Sequence, residues 1–289
     1  MTAEQYKELI DKSLDSYFKF DENNSHKGLA DAMRYSLLAG GKRIRPLLVL
    51  EFCRVCGGNV DKALPVACAA EMLHTYSLIH DDLPCMDNDE LRRGMPTNHM
   101  VYGECTATLA GDALQAEAFG TILRSELPAE RKAACAGILA DAVGLDGMCG
   151  GQYLDMSWEG KKLSEQELTD INSRKTGALL VAACQMGVAA AGGSELMLAA
   201  AGHYGAALGM AFQIRDDMLD VLSTNDELGK PVGSDAQENK NTYMALLGEQ
   251  GCRETVNRLT DFAKNVLDEA FEDTSFLKSL ADQLAERKN

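Results

Sequence analysis

DKALPVACAAEMLHTYSLIHDDL, residues 61–83, is apolar nearly all round and closes on a pair of aspartates. SELMLAAAGHYGAALGMAFQIRDDMLDVL, residues 194–222, follows the same plan. A helix without a polar face belongs inside a bundle, surrounded by other helices. The two tails also correspond: IHDDLPCMD at 79–87 and IRDDMLD at 214–220 each set the aspartates after an apolar residue and a basic one. Two such helices facing each other hold two acidic clusters across a cavity.

The sequence on either side keeps the helical pattern. Apolar residues recur at intervals of three and four, and strand-like alternation is scarce. The spacing predicts roughly ten helices, at 3–20, 26–38, 44–56, 61–83, 97–125, 128–144, 147–157, 164–191, 194–222 and 250–271, with a last one near 275–287. Gly57-Gly58-Asn59 ends one helix, and Asp61 is placed to cap the next. Ser164 with Glu167 reads as a capping box, and Ser194 follows Gly192-Gly193 in the same way. No Pro- or Ser-rich linker interrupts the series, which predicts an all-α fold in one domain over 1–289.

Composition narrows the function. With 289 residues and 46% apolar content, the chain is able to bury a large core. A net charge of -16 repels phosphate backbones and anionic lipid, which argues against nucleic-acid and stable membrane binding. No apolar run is read as reaching the roughly 18 residues that cross a bilayer. Nine cysteines are scattered along the chain, several in apolar helical settings such as Cys68, Cys135 and Cys184, where a thiol acts as a small hydrophobe. Cys53 and Cys56 form a lone CxxC, a weak metal or redox signal. The N-terminus, MTAEQYKELIDK, reads as a polar helix start rather than a signal peptide, so a reducing, cytoplasmic setting is expected.

Carboxylates on an apolar helix are costly to bury, and neighbours of like charge raise one another's pKa. A compensating cation is required. Magnesium suits the site, because it takes oxygen ligands and binds through one or two carboxylates plus substrate phosphates. Asp216 and Asp220 are four apart and share a helix face with Gln213 and Phe212. Asp81 and Asp87 are six apart and would diverge on an unbroken helix, but Pro84 lies between them. Proline disrupts helix interiors, so the helix is expected to break after Asp82 and return Asp87 toward the metal. Gly40-Gly41-Lys42-Arg43-Ile44-Arg45-Pro46 and Arg92-Arg93-Gly94 supply basic knots of the kind that clamp phosphate. Each knot or acidic cluster taken singly also fits a solvated surface. Their joint presence favours a diphosphate.

These segments resemble the trans-isoprenyl diphosphate synthases over nearly the whole chain, most of all the bacterial farnesyl diphosphate synthases. The motifs stand in order: GGKRIRP at 40–46, EMLHTYSLIHDDLPCMDNDELRRG at 71–94, GDALQAEAF at 111–119, GGQYLD at 150–155, KTGALL at 175–180, FQIRDDMLD at 212–220, LGK at 228–230 and KNTYMALLG at 240–248. The resemblance implies mostly antiparallel helices around a deep central cavity, a homodimer, and about three magnesium ions. It implies that Asp81, Asp82, Asp87 and Asp216 bind metal, with Asp217 and Asp220 reaching it through water. It assigns Lys42, Arg45, His74 and Arg93 to isopentenyl diphosphate. Arg92, Lys175 and Lys230 go to the allylic diphosphate, with Lys240 near the closed site, and Thr176 and Gln213 face the developing carbocation. His74, seven residues before Asp81, shares its helix face.

The implied reaction is head-to-tail condensation of isopentenyl diphosphate with dimethylallyl or geranyl diphosphate, stopping at farnesyl diphosphate. Tyr76, with Ser77 beside it, stands where such enzymes set product length. On an ideal wheel, however, Tyr76 lies roughly 140° from Asp81, so ordinary packing remains an alternative role. Geranylgeranyl or geranyl diphosphate is the alternative product. Met244 and Cys85 depart from the family pattern without removing a charge, and Cys85 puts a thiol beside the metal site. A terpene cyclase typically carries Asn, Ser/Thr and Glu in its second motif, whereas Asp216, Asp217 and Asp220 stand here. A non-catalytic synthase subunit is expected to lose one motif, and both are intact.

Overall fold

In a computed structural model of the chain, residues 1–222 and 241–287 are described. The elements are α1 (Ala3–Ser16), α2 (Lys27–Leu37), α3 (Ile44–Val55), α4 (Val60–Asp81), β1 (Leu91–Arg92), β2 (Met95–Pro96), α5 (Asn98–Tyr102), α6 (Glu104–Arg124), α7 (Ala129–Val143), α8 (Met148–Ser157), α9 (Glu165–Asn172), a π-helical turn (Ser173–Gly177), α10 (Ala178–Ala191), α11 (Glu195–Leu222), α12 (Tyr243–Asp268) and α13 (Ser275–Glu286). The all-α class stands.

The largely apolar α4 occupies the centre, packed on α3 and α6, while α10 packs on α3, α4, α7 and α11. The turns between α3 and α4 and between α10 and α11 are short, so these packed neighbours run antiparallel. The core is built from Leu48, Phe52, Val66, Leu73, Leu114 and Tyr204, with many alanines between them. Small residues bring the backbones close. A Cβ on Gly187 of α10 would lie 2.4 Å from the Val49 carbonyl oxygen and 2.7 Å from Phe52 Cβ.

Several boundaries differ from the sequence expectation. Asn59, not Asp61, caps α4, its side chain accepting from the Lys62 N–H. The helix expected at 97–125 divides at Gly103, whose φ of 81° no helix accommodates. α12 begins at Tyr243, capped by Thr242, because a kink at Gly248 carries helical backbone upstream of residue 250. Leu91 pairs with Pro96 and Arg92 with Met95 in a two-residue hairpin. Its central residues, Arg93 and Gly94, both take positive φ, as a type I′ turn requires. The capping box of Ser164 and Glu167 forms as expected. One apolar stretch was missed: an 18-residue window within 129–157 has a mean hydropathy of 1.3, enough by composition to span a bilayer. A turn between Val143 and Met148 divides it into α7 and α8.

Gly187→Ala should force α10 away from α3. We expect it to cost about 1–3 kcal/mol, as overpacking does. Thermal unfolding followed by circular dichroism should show a lower midpoint with unchanged helical content.

Candidate active site

The first acidic cluster forms because α4 stops where its side chains stop being apolar. Asp82 is the C-cap. The chain then doubles back: the Met86 N–H donates to the Leu83 carbonyl at 2.8 Å and the Asp87 N–H to the Asp81 carbonyl at 2.9 Å. Asp87 thus returns beside Asp81, as the proline predicted. Burial pushes the Asp81 carboxyl up to about 6; Lys175 opposes this, while Asp87 and Asp82 add to it. Burial also raises Asp82, which accepts from Arg92 Nε at 2.7 Å.

On α11 the second cluster divides its labour. Asp216 faces the cavity and pairs with Arg287, whose guanidinium lies 3.8 Å over the Phe212 ring. Asp217 turns the other way: Oδ1 accepts from Gln213 Nε2 at 3.2 Å and Oδ2 from the Tyr243 N–H at 2.7 Å, tying α11 to the start of α12. Asp220 is buried at 3% exposure and lines neither of the two main cavities formed by the described residues. Among the described residues, no three His, Cys, Asp or Glu side chains converge to hold a metal unaided.

Facing these acids is a concentration of positive charge. Arg43 takes left-handed backbone (φ 51°) at the start of α3, and its buried guanidinium pairs with Glu71 of α4 at 2.5 Å and with Asp11 at 2.8 Å. It acts as a rivet between loop and helix, and Lys42 and Arg45 stand on either side. Burial lowers Lys42, with Arg287 adding to the effect and Asp216 opposing it. Burial pulls Arg45 down to about 10, Glu71 opposes, and Arg93 pulls it further. Arg45 Nε finds no acceptor among the described residues. Arg93, presented by the hairpin turn, donates to the Gly40 carbonyl and is lowered by burial. His74 is held well below its ordinary value by burial and then by Arg45, Arg93, Arg92 and Arg43. Lys42, Arg45, Arg93 and His74 are thus discouraged by burial from holding their protons, whereas Arg43, where Glu71 and Asp11 outweigh burial, is raised.

The π-helical turn carries Lys175 and Thr176. Such bulges occur mostly as single turns inside α-helices, frequently at functional sites. Lys175 Nζ donates to Asp155 at 2.6 Å, and Thr176 Oγ1 to Gln213 Oε1 at 3.5 Å. Lys175, Thr176 and Gln213 border both cavities, one of about 770 Å³ and one of about 390 Å³. The larger brings together Arg45, His74, Asp81, Arg92, Arg93 and Asp216. Asp87 and Asp217 border the smaller. Tyr76 and Ser77 are also on the wall of the larger one. Tyr76 is there, despite its angle from Asp81, because α4 borders the cavity over a broad arc with Ser77 between the two. Its hydroxyl lies 3.4 Å from Cys149 Sγ. Cys85 lines the same cavity. Lys230 and Lys240 lie outside the described residues.

Sequence reasoning missed Arg43 as a rivet, Asp155 as the partner of Lys175, and Arg287 altogether. The lone acid in GGQYLD was a usable signal for Asp155; nothing local marked Arg287.

Comparison with known proteins places these features in context. The family model for polyprenyl synthetase matches residues 26–283. The chain is 43% identical to the farnesyl diphosphate synthase of Geobacillus stearothermophilus, covering 99% of this chain and 98% of that one. It is 45% identical to the geranylgeranyl diphosphate synthase of Cyanophora paradoxa, over 90% of this chain and 87% of that one. Its structure is similar to the apo crystal structure of an FPP/GFPP synthase from Zymomonas mobilis, with a TM-score of 0.88 and 34% identity, covering 98% and 97% of the two chains.

The depressed His74 has a consequence for stability. Its folded pKa lies below the unfolded value of about 6.5, so the unfolded chain takes up this proton first as pH falls. The stability associated with neutral His74 is present above pH 6.5 and is lost as pH falls toward the folded pKa. The difference in urea-unfolding free energy between the protein and His74→Gln should therefore shift in favour of the variant between pH 7 and pH 5.

Proposed function

The chain belongs to the polyprenyl synthetase family, and on that footing we propose that it is a prenyltransferase that makes farnesyl diphosphate. It condenses isopentenyl diphosphate head-to-tail with dimethylallyl and then geranyl diphosphate. The observation that carries this reading is a single cavity with carboxylates from two helices, Asp81 and Asp216, and a basic group of Arg45, His74 and Arg93. One subsite would take a diphosphate together with its metal, and the other a second diphosphate.

Magnesium fits the donors present. Asp81, Asp82 and Asp87 on one side and Asp216 on the other would hold it, about three ions in all, and a bound cation would oppose the burial and carboxylate crowding that raise Asp81. Because the described side chains do not complete a coordination shell, substrate phosphate would supply the remaining oxygens. When bound, the metal neutralises the leaving diphosphate. Asp217 and Asp220 would act through water.

The chain's own groups then do the following. Arg92 and Lys175, with Lys230 and Lys240, hold the allylic diphosphate. Lys42, Arg45, His74 and Arg93 hold isopentenyl diphosphate so that its double bond lies near the allylic C1. The C–O bond breaks, and its electron pair leaves with diphosphate. Thr176 Oγ1 and Gln213 Oε1 turn their dipoles toward the cation left behind. The isopentenyl π electrons form the new C–C bond, and a proton lost from the isopentenyl unit to diphosphate restores a double bond. The apolar wall excludes water that would quench the cation. Tyr76 and Ser77 close the far end and stop growth at fifteen carbons.

We assign one polyprenyl synthase domain to 1–289, supported by the extent of the family match. Pairing into a homodimer is supported by the exposed apolar side chains Met100, Val101, Leu109 and Leu123 on α5 and α6. A cytoplasmic setting is supported by nine cysteines, all free thiols. A geranylgeranyl product is the second reading, favoured by a relative of that name at 45% identity.

Incubation with magnesium, isopentenyl diphosphate and dimethylallyl diphosphate, followed by gas chromatography of the dephosphorylated alcohols, should yield mainly farnesol. Geranylgeraniol would sink the length assignment, and no condensation would sink the activity. Asp81→Asn and Asp216→Asn should each lower kcat by about 10²-fold or more, the scale of losing one electrostatic group at a charged transition state.

A further inference from the structure

Tyr76 closes the cavity in the reading above, yet a phenol at the edge of the arc that α4 presents has to be held in place. One anchor is the 3.4 Å approach of its hydroxyl to Cys149 Sγ, a contact to a weak sulfur partner. The other is His80, one helical turn on. The imidazole meets the Tyr76 ring edge-on, with centroids 5.0 Å apart and planes at 77°. Aromatic pairs favour this arrangement.

His80 is itself fixed from α6. Its Nε2 lies 3.0 Å from the Thr108 carbonyl oxygen. A carbonyl only accepts, so Nε2 carries the proton and donates. Asp112 Oδ1 lies 3.9 Å from the same nitrogen. The ring fills a slot that exists because residue 111 has no side chain: a Cβ there would fall 2.2 Å from Nε2 and 2.4 Å from Cδ2. His80, Tyr76 and Thr108 all line the larger cavity.

We propose that His80, seated over Gly111, is a specificity-determining residue that positions Tyr76 and so sets how long a prenyl chain the cavity admits. This rests on the reading of Tyr76 as the end of the cavity. Without the imidazole, the phenol is free to swing aside and the cavity deepens. His80 touches no reacting atom in this role.

The test compares the ratio of geranylgeraniol to farnesol, at fixed substrate concentrations, in Tyr76→Ala, His80→Ala, Gly111→Ala and the double variant Tyr76→Ala/His80→Ala. The ratio is read independently of total turnover, because His80 adjoins Asp81. Gly111→Ala reaches the imidazole from another helix and leaves α4 unaltered. His80→Ala and Gly111→Ala should each raise the ratio about fivefold, the scale of one edge-to-face ring pair. Adding His80→Ala to Tyr76→Ala should change it by less than about twofold, because the support has nothing left to hold. If Tyr76→Ala lengthens the product while His80→Ala and Gly111→Ala leave the ratio alone, the support role is overturned and the end-wall reading survives. Fully additive effects in the double variant overturn it as well. If Tyr76→Ala itself leaves the ratio unchanged, the end-wall reading fails and this inference fails with it.

Discussion

Like charges held together in a half-buried space are the constraint from which the rest of this molecule follows. Burial raises Asp81 and Asp82, with Asp87 adding to both, and burial lowers Arg45, Arg93 and His74, with neighbouring arginines adding to each. Arg92 partly compensates Asp82 and Glu71 partly supports Arg45, but burial outweighs both. Such an arrangement is unfavourable for folding, and it is sustained by the apolar packing of α3, α4, α6, α10 and α11 around it. In the proposed function the same imbalance would serve as the recognition device. On that reading, a diphosphate accompanied by a cation would relieve both strains together.

The buried ion pair of Arg43 and Glu71 shows how the scaffold holds charge without spending it on substrate. Both side chains are almost fully enclosed. Removing one partner of such a pair leaves an uncompensated buried charge, the costly case. The pair locks the glycine turn at 40–41 against α4 three residues before His74. The basic side chains of Lys42 and Arg45 in one segment and His74 in the other therefore keep one mutual geometry. Asp217 does similar work on the opposite side by binding the first N–H of α12.

Much of this was legible in the sequence, for physical reasons. The absence of a polar face on 61–83 and 194–222 required an interior position, and α4 and α11 have one. Pro84 required a break, and the chain doubles back there. Ser164 and Glu167 announced their own cap. What escaped depends on contacts distant along the chain. Nothing local distinguishes Arg43 from Arg45 in KRIR; Glu71 and Asp11 do so, 28 and 32 residues away. Arg287 reaches Asp216 across 71 residues. The hairpin at 91–96 is too short for alternation to register, and the break at Gly103 hides in a segment whose composition is helical throughout.

The π-helical turn at Ser173–Gly177 has a bearing on how this chain can be recombined with others. A widened turn inserts a residue's worth of rotation, about 100°, into an otherwise continuous helix. Upstream, α9 meets α12; downstream, α10 meets α3, α4, α7 and α11. Both halves keep their buried stripes inward only because the phase slips between them. A chimera joined by helical register alone through this region, or a single-residue deletion that irons out the bulge, would turn one half inside out relative to the other. Crossover points belong in the loops before Ser164 or after Ala191, where phase carries no information.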